Sequence, residues 1–130
     1  MNLHTRLLMT TSALVLFVTG MALSFVSQEI LEAAMGRAEQ SAVVVMQLLG
    51  AAYLGLAFLN WLNRGATLGG IYGRPLTMPN FLHFAMVAIT LVKLVQSLQD
   101  SLLLVAAAVS SLLATWFGAV VFTSPPMNRN

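Results

Sequence analysis

Lys93 is the one basic side chain that lies inside an apolar run of this sequence. Gln96 follows after one helical turn and Asp100 after two, so a helix would place all three roughly on one face. A lysine near the middle of a membrane costs about 3 kcal/mol, and such residues often mark a path for an ion, a proton or a ligand. The alternative is a structural lysine that extends its ammonium group to the interface, with Asp100, Glu29 and Glu32 as candidate partners.

A glycine-rich segment, residues 63–79, carries Arg64 and Arg74. Glycine allows backbone N–H groups to approach an anion closely, and arginine binds phosphate or carboxylate through paired hydrogen bonds. The segment therefore predicts a surface for a lipid headgroup or another anionic ligand. The alternative is an interfacial loop whose arginines contact lipid phosphates. The candidate residues of this surface are Asn60, Asn63, Arg64, Tyr72, Arg74, Asn80 and His83.

The other polar residues favour packing over catalysis. Gln47 lies inside an apolar run, where an interhelical hydrogen bond is favoured over a place in a pore. For His83, a hydrogen-bonded histidine at a helix start is favoured over a metal ligand. The chain has no cysteine, and its carboxylates do not pair inside a span. We therefore expect no enzymatic activity, no metal and no cofactor.

The composition indicates the class of protein that positions these residues. Of 130 residues, 58% are hydrophobic and only 8% are charged. A soluble domain typically carries about 25% charged residues, so charge cannot cover a water-exposed surface here. This excludes an ordinary soluble domain, a disordered chain and a nucleic-acid-binding module. An integral membrane protein remains.

Four apolar runs have about the length that a helix needs to cross a bilayer. They predict an all-α integral membrane protein, a four-transmembrane-helix bundle in a single membrane domain. Residues 28–40 are amphipathic and predict a short interfacial helix or an extension of the first span. The connection at residues 99–101 is so short that the third and fourth spans must form a tight antiparallel hairpin. The predicted spans are residues 7–26, 42–62, 80–98 and 102–122.

The charged residues predict an orientation with both termini in the cytoplasm. Lysine and arginine concentrate on the cytoplasmic side of membrane proteins. With four spans, the side that holds both termini also holds Arg6, Arg64, Arg74 and Arg129. The opposite side holds Glu29, Glu32, Glu39 and Asp100, with Arg37 as its basic residue. The default location is a bacterial inner membrane, with an organellar membrane as the alternative.

Small residues at helical spacing predict close helix contacts, because membrane helices associate through small and polar residues. Packing within the chain is favoured over an oligomer or partner interface. The small-residue faces are Gly20 with Ser24, Ala51 with Gly55, and Ala107, Ser111, Ala114 and Gly118.

Three functions follow from these features. The first is an accessory or structural subunit of a larger membrane complex, or a homo-oligomer, with lipids and neighbouring helices as partners. The second is a small oligomeric transporter or channel that uses Lys93 and residues 63–79. The third is a lipid- or quinone-associated membrane enzyme.

Overall fold

The computed structural model describes residues 3–66, 68 and 72–123. The described residues confirm the predicted all-α class, and four of their helices are long and apolar enough to cross a membrane. The described residues form no strand. The helices are α1 Leu3–Phe25, α2 Ser27–Met35, α3 Gln40–Leu62, α4 Arg74–Leu98 and α5 Ser101–Thr123.

Helices α1 and α2 are almost continuous. Val26 alone separates them; its N–H donates to the Ala22 carbonyl at 2.9 Å, and its carbonyl accepts from Ile30 at 3.0 Å. Its backbone, with φ −121° and ψ 18°, introduces a bend. Gly36 ends α2 in a left-handed conformation (φ 71°) that glycine adopts without strain. The segment predicted at 28–40 is therefore a shorter helix that extends α1.

Helix α4 begins at Arg74, earlier than the span start predicted at residue 80. The connection predicted at 63–79 accordingly reaches only to Gly73. Pro75 favours the earlier start, because its fixed φ suits the first helical turn and its missing N–H is not needed there. Pro79, interpreted in the sequence as part of the connection, lies inside the helix.

Side-chain hydrogen bonds reinforce the first turns of α4 around Pro79, which has no N–H to donate to the preceding turn. The Thr77 hydroxyl donates to the Gly73 carbonyl at 3.0 Å. The Asn80 amide donates to the Leu76 carbonyl at 2.8 Å. Both side chains are buried. A helix can therefore continue through a proline that usually ends one.

The chain forms two compact units. One unit is Met9–Gly65, which holds most of α1 with α2 and α3. The other contains α4 and α5, together with the described residues of Met1–Leu8.

In the second unit, α4 and α5 form the tight hairpin that the sequence predicts. The Phe84 and Phe117 rings stack with their centroids 5.9 Å apart, and both side chains are buried. A Cβ on Gly118 would lie 3.1 Å from the Phe81 ring, so this glycine admits the ring close to the α5 backbone. Aromatic side chains therefore hold the hairpin together.

Candidate functional site

Helix α3 has one face packed closely on α1. A Cβ on Gly50 would lie 2.7 Å from the backbone nitrogen of Ser24 and 2.9 Å from the Gly20 carbonyl oxygen. A Cβ on Gly20 would in turn lie 2.9 Å from the Leu54 side chain. Such distances leave no room for a side chain at either glycine. The two backbones approach here as closely as small-residue interfaces in membranes allow.

A polar pair lies buried in the same contact. The Asn60 amide of α3 donates to the Ser12 hydroxyl of α1 at 3.0 Å, and that hydroxyl donates to the Met9 carbonyl at 3.0 Å. Asn60 and Ser12 are fully buried. A hydrogen bond between helices is favourable where water cannot serve as the partner. The covered face of α3 thus combines small residues with a satisfied polar pair.

Another face of α3 is exposed and carries similar residue types. Gln47, Ala51 and Gly55 follow one another at a spacing of four residues, and all three are exposed. Apart from the adjoining α3 backbone, no atom of the described residues lies within 4 Å of the position that a Cβ on Gly55 would take. The Gln47 amide makes no hydrogen bond to any residue that the structure describes. We call these three residues the α3 open face.

Hydroxyl groups of α4 and α5 find hydrogen-bond partners within their own helices, unlike the Gln47 amide. The side chains of Thr90, Ser111 and Thr115 each donate to the carbonyl four residues earlier, at 2.7–2.9 Å. Serine and threonine can satisfy themselves in this way within their own helix. The longer Gln47 amide does not do so, although it lies only about 6 Å from the middle of α3, at 1.5 Å per residue. It is therefore the polar group of α3 that most needs a partner from outside the described residues.

The intramembrane polar candidates on α4 do not gather into a site. Lys93, Gln96 and Asp100 are exposed. Lys93 forms no ion pair with a residue in the described ranges. Asp100 instead caps α5, because its carboxylate accepts hydrogen bonds from the N–H groups of Leu102 at 2.7 Å and Leu103 at 3.2 Å. The capping of α5 therefore accounts for the position of Asp100.

The two arginines of the predicted anion surface differ in their surroundings. The Arg64 guanidinium lies 4.2 Å from the centre of the Trp61 ring and donates to the Trp61 carbonyl at 2.7 Å. Arg74 is exposed at the first position of α4, and Tyr72 is 88% exposed. Arg74 and Lys93 are about 28 Å apart along the axis of α4, so they cannot belong to one small site.

The remaining members of that surface have local roles. Asn63 donates to the Leu59 carbonyl at 2.8 Å and so satisfies the end of α3. His83 is half-buried with its ring edge-on to Phe84 at 5.2 Å. In the glycine-rich segment itself, a Cβ on Gly73 would overlap the carbonyl of the buried Leu68, so a glycine is required for this close chain crossing. Residues 67 and 69–71 of the segment, and Arg129, lie outside the described residues.

The structure also shows a side-chain contact that the sequence does not reveal. Ser12 was one hydroxyl among many in the first span, and nothing in its neighbourhood indicates a partner 48 residues away. The contact of Arg64 with Trp61 could have been inferred, because residues three apart are neighbours on a helix. Among the described residues, no group of three histidine and carboxylate side chains is arranged to hold a metal ion.

The predicted small-residue faces separate into two kinds. Gly20 and Gly118 contact other parts of the chain, which confirms intramolecular packing for them. Ala51 and Gly55 remain exposed. Comparison of the chain with protein-family models, curated proteins and solved structures finds no match in any of the three.

Proposed function

We propose that this chain is a non-catalytic, structural subunit of a membrane assembly. In this proposal, the α3 open face packs against a transmembrane helix of another polypeptide. The observation that carries the proposal is the exposed Gln47 amide, one turn before Ala51 and two turns before Gly55. Its hydrogen-bonding groups need a partner in lipid, and the two small residues allow a helix to come close enough to supply one.

The covered face of α3 supports this interpretation. There, Gly50 and the Asn60 amide already bind a neighbouring helix in the same chemical manner. The α3 open face therefore has the means of association that this helix uses elsewhere. A structural subunit needs no catalytic residues, only a helix surface that its partner recognises.

The rest of the proposal concerns topology and location. We infer a four-helix bundle in a bacterial inner membrane with both termini cytoplasmic, because Arg6, Arg64 and Arg74 fall on one side of the four spans. Glu29 and Glu32 fall on the other side. Membrane lipids are the remaining partners. Single cysteines introduced at residues 6 and 64 should therefore not be labelled from outside intact cells. Labelling at these positions would contradict the orientation.

Photo-crosslinking from the α3 open face tests the function. The chain contains no cysteine, so Ala51→Cys gives a single attachment point for a benzophenone. In native membranes we expect a protein adduct of defined mass, identified by mass spectrometry as a second copy or as another subunit. Adducts with lipid alone would overturn the proposal.

Two variants make this test specific. Val18→Cys is the matched control, because Val18 is an apolar α1 residue that is 66% exposed in the same unit. It should yield lipid adducts. Gly55→Ile, introduced beside Ala51→Cys, adds a branched side chain at a position whose Cβ meets no described residue within 4 Å outside the adjoining α3 backbone. It should leave the fold intact and abolish the protein adduct. Persistence of the adduct in this variant would contradict the assigned interface.

A further inference from the structure

An apolar groove of about 230 Å³ lies between α1 and α3, within the unit Met9–Gly65. Ala13 and Ala57 are buried at its floor, at 3% and 2% exposure, and their small side chains create the depression. A dry cavity of about 150 Å³ is already large enough to bind benzene. The groove can therefore hold a hydrocarbon segment. Its walls are Leu14, Phe17, Phe58 and Trp61.

Three aromatic rings line the groove. The Phe17 and Phe58 rings meet edge to face with centroids 6.4 Å apart, and Trp61 lies one turn after Phe58 towards the end of α3. The three rings are 42–57% exposed, so the groove opens outward. In a spanning pair of helices, an outward apolar groove faces the lipid chains.

A positive charge stands at the Trp61 end of the groove. The Arg64 guanidinium lies over the Trp61 ring at 4.2 Å, and its bond to the Trp61 carbonyl fixes its position. The carboxylates of this unit, Glu29, Glu32 and Glu39, precede α3, whereas Arg64 follows it, about 35 Å away along the helix. No carboxylate pairs with Arg64 among the residues described. The charge is therefore available to an anion at the membrane interface.

We propose that this groove binds an anionic phospholipid, with one acyl chain between α1 and α3 and the headgroup phosphate on Arg64. The groove and the guanidinium are adjacent through Trp61, which lines the first and contacts the second. An amphiphile with one anionic end and one hydrocarbon end matches both features at once. Arginine retains further N–H donors for a phosphate when one is used by a carbonyl.

Quenching of Trp61 fluorescence by brominated acyl chains tests this site. The chain has two tryptophans, so Trp116→Phe leaves Trp61 as the reporter. The protein is placed in phosphatidylcholine vesicles that contain a small fraction of brominated phosphatidylglycerol or, in parallel, brominated phosphatidylcholine. We expect about fivefold preferential quenching by the phosphatidylglycerol, the ratio typical of one basic residue at a membrane surface. Equal quenching by both lipids, or none by either, would overturn the proposal.

Charge variants decide whether Arg64 causes the preference. Arg64→Gln should remove it, Arg64→Lys should retain most of it, and Arg37→Gln should leave it unchanged as the matched control, since Arg37 precedes α3. Each variant is normalised to its fluorescence in unbrominated lipid, because Arg64 contacts Trp61 directly. An undiminished preference in Arg64→Gln would refute the assignment.

A groove-filling variant tests the acyl-chain part separately. Ala57→Leu places a larger side chain on the floor and should lower Trp61 quenching by both brominated lipids. If this variant does not fold, Leu14→Phe is used instead. Leu14 is a wall residue that is 54% exposed, so a larger side chain there narrows the groove. Unchanged quenching in a folded filling variant would show that the acyl chain lies elsewhere and would contradict the proposal.

Discussion

The covered and open faces of α3 carry similar residues in different surroundings. On the covered face, Gly50 touches α1 and Asn60 donates to a buried hydroxyl. On the open face, a Cβ on Gly55 would meet no described residue within 4 Å outside the adjoining α3 backbone, and Gln47 is exposed. Residue types alone therefore do not distinguish a contact used for folding from one left for assembly. Only the position of the neighbouring helix does so.

The comparison predicts that the two faces respond oppositely to the same substitution. We expect Gly50→Ala to lower the free energy of unfolding by about 1–3 kcal/mol, because the new Cβ overlaps the backbone of α1. Gly55→Ala, the matched control, should be neutral or stabilising by up to about 1 kcal/mol, since alanine favours the helix. Equilibrium unfolding of both variants in mixed micelles measures the two values.

The opposite order of the two free energies would contradict the assignment of the covered and open faces. If Gly55→Ala destabilised the isolated chain more than Gly50→Ala, the open face would be covered within the chain. The interface proposed for it would then be an internal contact.

The second prediction concerns the polar pair on the covered face. In a double-mutant cycle with Ser12→Ala and Asn60→Leu, we expect a coupling free energy of about 0.5–1.5 kcal/mol, the range of hydrogen bonds between membrane helices. The side chains are fully buried, so solvent does not replace the lost partner. The same unfolding measurement on the two single variants and the double variant gives the coupling.

The cycle needs a distant control pair within the same unit. Ser41→Ala serves with Asn60→Leu, because these residues lie about 28 Å apart along α3 and the Ser41 hydroxyl donates to the Glu39 carboxylate. Its coupling to Asn60 should be near zero. A coupling for Ser12 no larger than this control value would mean that the hydrogen bond does not contribute to stability.

The sequence predicts the helices of this protein well because each apolar run has the length of a membrane span. It does not predict which face of α3 is covered. Exposed apolar residues such as Val45, Leu48 and Leu59 surround this helix on several sides, so no periodic pattern separates the faces. The start of α4 was misplaced for a different reason: Pro79 resembles a boundary, and only its neighbours' side-chain bonds reveal a continuing helix.

The candidate site was predicted in part. Gln47 and the pair of Ala51 with Gly55 can be recognised from the sequence as groups that favour helix contacts. Their alignment on one exposed face depends on how α1 packs, and local spacing does not contain that information. Asp100 was one of three candidate partners of Lys93, and in the structure its carboxylate caps α5 through the N–H groups of Leu102 and Leu103.

The smallest predicted effect is the loss of the Gln47 amide. Gln47→Leu should weaken association of the chain in membranes about threefold, because one interhelical hydrogen bond contributes on average about 0.6 kcal/mol. The unfolding of the isolated chain should not change, since Gln47 bonds to no residue that the structure describes. Energy transfer between labelled chains measures the effect if the partner is a second copy; the Ala51 crosslink yield measures it for a different subunit.

Gln96→Leu makes the same replacement on the exposed surface of α4, near the helix end where water can solvate the amide, and should leave association unchanged. Equal weakening by both variants would mean that association responds to any lost amide, and the open face of α3 would lose its distinction from the rest of the lipid-facing surface.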